Sequence, residues 1–155
     1  MFTYVKKKED LIMTKKNKTL LIIKPDAVRN KTVGNIIDII EKNNITILNM
    51  NMIKLDANTA KKFYSEHNTK SFYDELINFI ISGPIVVLIL EGKEIITQVR
   101  NLIGNTNFKK ADKGTIREKF ATSVTENAVH ASDSIKSFEN EIKIISSYIT
   151  HDKKI

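Results

Sequence analysis

Apolar and polar positions along the 155-residue chain fall into order from Thr19 onward. Thr19-Leu20-Leu21-Ile22-Ile23 is a short apolar run halted by Lys24-Pro25-Asp26, the pattern of a buried strand that ends in a turn and leaves Lys24 at its carboxyl end. Val33, Ile36, Ile37 and Ile40 then recur at the i, i+3, i+4, i+7 spacing of an amphipathic helix, closed by Asn43-Asn44. Ile45 to Leu55 is rich in strand formers. There Leu48, Met50 and Met52 alternate with Asn49 and Asn51, which predicts a second strand with its methionine face buried. Asn58 or Thr59 is placed to cap a short helix through Tyr64, and Phe72, Leu76, Phe79 and Ile80 lay out another apolar stripe ended by Ser82-Gly83-Pro84. Ile85-Val86-Val87-Leu88-Ile89-Leu90 reads as a central strand covered on both faces.

Ile95, Val99 and Leu102 form a further helical stripe, with Arg100 off that face. Periodicity disappears from Gly104 to Thr115, a polar loop carrying Lys109, Lys110 and Lys113, and a loop of that length inside a compact domain is usually functional. Ala128-Val129-His130 is a short extended stretch. Ser132-Asp133-Ser134 can cap the helix whose stripe is Ile135, Phe138, Ile142 and Ile145. The order strand, helix, strand, helices, strand, helix, strand, helix predicts an α+β fold, a ferredoxin-like sandwich with a four-stranded, mostly antiparallel sheet and helices on one face.

Composition narrows the chemistry. No cysteine is present, so disulfides, thiolate catalysis and cysteine-held metals are excluded, in keeping with a reducing, cytoplasmic setting. A net charge of +7 favours polyanionic partners such as nucleotides or nucleic acid. Within residues 1–18, six lysines face only Glu9 and Asp10, a surplus of four, so much of the excess belongs to a basic N-terminal extension, with 19–155 as a single domain. No apolar run has the length of a secretory signal or a membrane span.

The five glycines are scattered and none opens a phosphate-cradling loop. A nucleotide site would therefore rest on side chains at element ends: Lys24, Arg100 and Arg117, with the hydroxyl of Thr106. Taken singly, each of these cations is an ordinary solvated charge. His130 differs, because it ends an apolar strand directly before a capping cluster, where backbone N–H groups and hydroxyls converge and favour anions. Glu141, on the following helix, is placed to reach back and orient the ring.

These residues lie in strings that resemble the ordered motifs of nucleoside diphosphate kinases: Lys24-Pro25-Asp26-Ala27-Val28, Phe63-Tyr64-Ser65-Glu66-His67, Ser82-Gly83-Pro84, Gly104-Asn105-Thr106-Asn107, Gly114-Thr115-Ile116-Arg117, and Asn127 through Ser134. The likeness runs from Thr19 to about Tyr148. It implies transfer of a γ-phosphoryl group from ATP or another triphosphate to a nucleoside diphosphate, through a phosphohistidine at His130. It further implies that Lys24, Tyr64, Arg100, Thr106, Arg117 and Asn127 hold phosphates and ribose, that Phe72 stacks on the base, and that Ser132 and Glu141 support the histidine. Mg²⁺ held mainly by substrate phosphates, and a homo-oligomer of tetrameric or hexameric order, follow from the same likeness. Such chemistry needs in-line geometry and cations around the transferred oxygens, and neutral imidazole is nucleophilic near pH 7. Stacking ignores base identity, so broad base specificity is implied. The alternative, a basic nucleic-acid-binding or scaffold module on the same fold, lacks the aromatic-rich strand string of RNA-recognition domains.

Two positions depart from the family pattern. Ala131 stands where glycine usually follows the histidine; its Cβ is harmless at negative φ, the expected case, and costs on the order of 1 kcal/mol or more at positive φ. Phe108 stands where proline usually follows the Thr-Asn pair, which removes a local stiffener of the loop. The extension lacks periodicity. Removing residues 1–12, so that the chain starts at Met13, should leave the phosphotransfer rate nearly unchanged; a loss of about tenfold, equivalent to about 1.4 kcal/mol, would make the arm part of the site or its assembly.

Overall fold

A computed structural model describes residues 17–149; most of the basic extension, and His151 in the tail, lie outside the described residues. Four strands form one sheet: β1 (Lys18–Ile23), β2 (Thr46–Ile53), β3 (Ile85–Glu91) and β4 (Val129–Ala131). Their order is β2-β3-β1-β4, and every pairing is antiparallel. The helices are α1 (Pro25–Arg29), α2 (Val33–Lys42), α3 (Ala57–Phe63), α4 (Tyr73–Ile80), α5 (Ile95–Ile103), α6 (Ile116–Phe120) and α7 (Ile135–Ile145). Short 3-10 turns occupy Ser65–His67, Phe108–Lys110 and Ser146–Tyr148. The ferredoxin-like α+β arrangement expected from the chain is therefore present. No helix among the described residues is long and apolar enough to cross a membrane.

Helices cover both faces of the sheet, not one. Because side chains alternate along a strand, Leu21, Ile23, Val86, Leu88 and Leu90 face one core, filled by Ile36 and Ile40 of α2 and Ile95, Val99 and Ile103 of α5. Leu20, Ile22, Ile85, Val87 and Ile89 face the other, filled by Phe63 of α3, Ile77 and Ile80 of α4 and Phe138 and Ile145 of α7. A two-sided core is what the unbroken apolar runs of β1 and β3 require, since a one-faced sheet would leave half of each run in water.

Several local expectations are corrected. Met50 and Met52 are 55% and 61% exposed, because β2 is an outer strand and a bulge between Ile47 and Asn49 resets its alternation. The cap of α3 is Asp56, whose carboxylate accepts from Thr59 N–H at 2.8 Å, not Asn58 or Thr59. Phe72 lies outside the core at 46% exposure, and Ile77 takes its place in the stripe of α4. In α5 the buried residue of the last turn is Ile103, while Leu102 is only partly buried.

β4 brings the two ends of the domain together. Leu21, Ile22 and Ile23 pair with Ala131, His130 and Val129, so Val129 and Ala131 enter the first core and His130 points the other way, towards α3 and α7. Ala131 is buried in strand geometry, and it is not one of the positive-φ residues, which among the described non-glycines are Lys31, Asn44, Glu94 and Ala128. Ala131→Gly should accordingly give no relief of strain: it should lower stability by roughly 0.5–1 kcal/mol in urea unfolding, through the added freedom of glycine in a strand. A stabilised variant would show that the Cβ is strained.

Candidate active site

A cavity of about 440 Å³ opens where the end of β1, β4, α3, α5, α6 and the loops before β4 converge. It collects nine of the ten residues singled out from the sequence: Lys24, Tyr64, Phe72, Arg100, Thr106, Arg117, Asn127, His130 and Glu141. The tenth, Ser132, is buried behind the wall and donates a hydrogen bond to Glu141.

His130 is held on three sides. Its Nε2 lies 2.8 Å from Glu141 Oε1, and its ring meets Phe63 and Tyr64 edge-on, with centroids 5.3 and 6.1 Å away. The second carboxylate oxygen of Glu141 accepts a short hydrogen bond from the Ser132 hydroxyl. A carboxylate only accepts, so the neutral imidazole carries its proton on Nε2 and keeps the lone pair of Nδ1. Ser134 caps α7 by accepting from Ser137 N–H at 3.0 Å, which fixes the helix that carries Glu141. Burial, helped by the charge of Glu141, pushes the Tyr64 hydroxyl well above its ordinary pKa, so it remains a neutral donor.

The cations are anchored from behind. Lys24, almost fully buried, donates to Thr125 O at 2.7 Å and Asn127 Oδ1 at 2.8 Å, and its ammonium sits 5.1 Å from the centre of the Phe79 ring. Burial pulls its pKa down to about 8, Arg117 adds to that, and Asp26 and Glu126 oppose it. Arg117 donates to Gly104 O at 3.0 Å, Val129 O at 2.9 Å and Thr106 Oγ1 at 3.4 Å; burial and then Arg100 bring it to about 10. Arg100 leaves the apolar face of α5, as expected, and reaches Ala131 O at 3.4 Å. Asn127 Nδ2 donates to Thr106 O at 3.3 Å, which ties the long loop to the strand that follows. That loop is not wholly irregular: Phe108–Lys110 forms a 3-10 turn within it, and α6 begins directly after Thr115, too short for its five residues to declare a period.

Phe72 and Val124, exposed and apolar, line the mouth, which is where a planar ring would be gripped. Val124 carried no signal in the sequence. Asp133 also lines the cavity, its carboxyl held below the ordinary range mainly by the Ser137 hydroxyl. Asp26, quoted above only as part of a motif, proves to be buried beside Lys24. No group of three or more His, Cys, Asp or Glu suited to a metal occurs among the described residues.

Comparison with known proteins agrees with this geometry. A sequence profile of the family described as nucleoside diphosphate kinase matches residues 17–148. The nucleoside diphosphate kinase of Methanocaldococcus jannaschii is 47% identical over 129 residues, which span 83% of this chain and 92% of that one. That of Saccharolobus solfataricus is 42% identical over 127 residues, 82% of this chain and 92% of the relative. Among solved structures, the Aquifex aeolicus nucleoside diphosphate kinase superposes with a TM-score of 0.81 at 36% identity, covering 86% of this chain and 99% of its own.

Gly104, at the end of α5, has φ +83°, and a Cβ there would fall 2.5 Å from Thr115 Oγ1, the capping hydroxyl of α6. Its carbonyl also anchors Arg117. Gly104→Ala should therefore cost more than about 1 kcal/mol in a denaturant midpoint, from positive φ alone before the clash is counted. Wild-type stability would contradict this packing.

Proposed function

The chain belongs to the nucleoside diphosphate kinase family, and from that premise we propose that it moves a γ-phosphoryl group between nucleotides through His130, with the cavity residues in the roles that follow. The observation that carries this reading is the 2.8 Å contact between His130 Nε2 and Glu141 Oε1, made at the wall of a cavity lined by Lys24, Arg100 and Arg117.

In the first half-reaction the Nδ1 lone pair of His130 attacks the γ-phosphorus of a bound triphosphate such as ATP. A P–N bond forms, the bond from phosphorus to the β,γ-bridging oxygen breaks, and the diphosphate leaves with that electron pair. A second nucleoside diphosphate then attacks the same phosphorus with a terminal β-phosphate oxygen and releases His130, giving ping-pong exchange. Positive charge on the transiently phosphorylated ring is countered by Glu141, itself held by Ser132. Lys24, Arg100 and Arg117 stabilise charge spread over the transferred oxygens, and they are already oriented before substrate arrives. Tyr64 and Thr106 offer hydroxyls to the phosphates, Asn127 an amide to the ribose, and Phe72 a ring face that tolerates any base.

Mg²⁺ fits this donor set if the phosphates hold it. Glu141 is committed to His130 and Ser132, so among the described residues Glu66 and Asp133 are the other carboxylates lining the cavity that could add to the phosphate ligands of such an ion. When bound, the ion would neutralise β- and γ-phosphate charge. We also propose a homo-oligomer, tetramer or hexamer, and a cytoplasmic setting. The exposed Met50 and Met52 on outer strand β2 support association, and the absence of cysteine suits a reducing compartment.

His130→Gln keeps size and polarity and removes the nucleophile. It should abolish transfer and the acid-labile, base-stable label acquired from γ-labelled ATP, while nucleotide binding stays measurable. Transfer that survives in this variant would point to direct exchange between nucleotides and overturn the assignment.

A further inference from the structure

Ala128 has φ +69°, and Val129 N–H donates to Asn127 O at 2.8 Å. A bond from residue i+2 back to i around a positive-φ centre is the strained form of the γ-turn, rare for any residue with a Cβ. The turn sits between two site residues, with Asn127 on one side and His130 two residues beyond on the other. Something must hold it there.

Both main-chain polar groups of Ala128 are taken by one short segment across the sheet. Lys24 N–H donates to Ala128 O at 2.8 Å, and Ala128 N–H donates to Asp26 Oδ2 at 2.9 Å. Asp26 is 1% exposed, and Oδ2 is engaged 102 residues away and not on its own helix, α1. Its Oδ1 makes no hydrogen bond to a described residue. The same turn directs Asn127 Oδ1 to the Lys24 ammonium at 2.8 Å.

We infer that Asp26 is a positioning residue for phosphoryl transfer: its carboxylate anchors the γ-turn centred on Ala128, so that Asn127 meets Lys24 and β4 leaves the turn with His130 aimed into the cavity. This rests on the functional reading above and extends it to a residue that touches no substrate. Two effects follow. One is geometric, since a loosened turn moves Asn127 and β4 together. The other is electrostatic, since Asp26 supplies negative charge beside Lys24, alongside Glu126 from the preceding loop and against Arg117 from α6. Arg100, His130 and Glu141 line the same cavity. Lys24 serves as a cation, so kcat/KM falls as pH rises through its pKa; without the Asp26 charge that fall must come at lower pH.

The test uses the full chain with four variants: Asp26→Ala, Ala128→Gly, the two combined, and Asp26→Asn. Glycine takes positive φ without a Cβ penalty and so needs the anchor less. Asp26→Ala should lower kcat/KM by at least about tenfold, and by clearly less in the Ala128→Gly background. Asp26→Asn retains an acceptor for Ala128 N–H but no charge. It should transfer nearly as well as the parent near about pH 6, with the alkaline limb of kcat/KM displaced to lower pH, a change that a purely structural role would not produce. Hydrogen exchange at the Ala128 amide reads the anchor without any phosphotransfer, and it should quicken by at least about tenfold in Asp26→Ala. A parent that exchanges slowly but neither labels nor transfers would sink the functional reading and, with it, the role in transfer. Loss of the same factor in both backgrounds, or an Asp26→Asn profile superimposable on the parent's, would overturn the inference about Asp26 alone. Should Asp26→Ala fail to fold, the Asp26→Asn profile decides.

Discussion

Burying an ammonium group is the constraint around which this half of the molecule is arranged. Stripping water from an ion costs several kcal/mol unless its surroundings replace that water. Lys24 follows a strand buried from Thr19 to Ile23, and most of the replacement comes from far along the chain, from Thr125 O, Asn127 Oδ1, the face of Phe79 and the charge of Glu126, with the charge of neighbouring Asp26 added to it. Thr125, Glu126 and Asn127 belong to the segment that leads into β4, so solvating Lys24 and placing His130 are one structural problem. The strained backbone at Ala128 is where the two demands are reconciled.

Arg117 raises the same difficulty a second time. It is buried, its Nε has no hydrogen-bond partner among the described residues, and Arg100 lies close enough to lower its pKa. Its other contacts are with the carbonyls of Gly104 and Val129 and the hydroxyl of Thr106, and three cations line one cavity in which Glu141 is already committed to the histidine. The repulsion of Arg117 with Lys24 and with Arg100 is stored in the folded state, and a polyphosphate would relieve it. The scaffold, not the ligand, bears the cost of orienting them, which is why the cations stand in place without a glycine-rich loop.

Features that repeat along the chain were legible in the sequence. The β-branched run of β3, the stripes of α2 and α7, and the passage from strand to capping cluster at His130 all carry local periodicity, and the architecture followed from them. Nine of ten expected site residues meet in one cavity because the motifs sit at element ends that the topology gathers. What escaped notice depends on distance or on neighbours. Asp26 finds its partner 102 residues away. Met50 and Met52 alternate like core residues, yet the edge position of β2 and the bulge between Ile47 and Asn49 leave them exposed. Phe72 matched a helical stripe but lies one residue before α4 and turns to the cavity.

The sheet order places β4, only three residues long, on an outer edge with β1 as its single partner, so the last strand of the described residues is held by the first. Closing that long loop carries an entropic cost that few hydrogen bonds repay, whereas β2 and β3 pair over a longer register. β4 is joined to the sheet along one edge and over three residue pairs, so separating it breaks fewer strand pairings than separating β2 from β3. A polyphosphate that touched Lys24 and His130 together would span this seam, and by binding only the form in which β4 is paired with β1 it would work as a removable staple between the two ends of the domain.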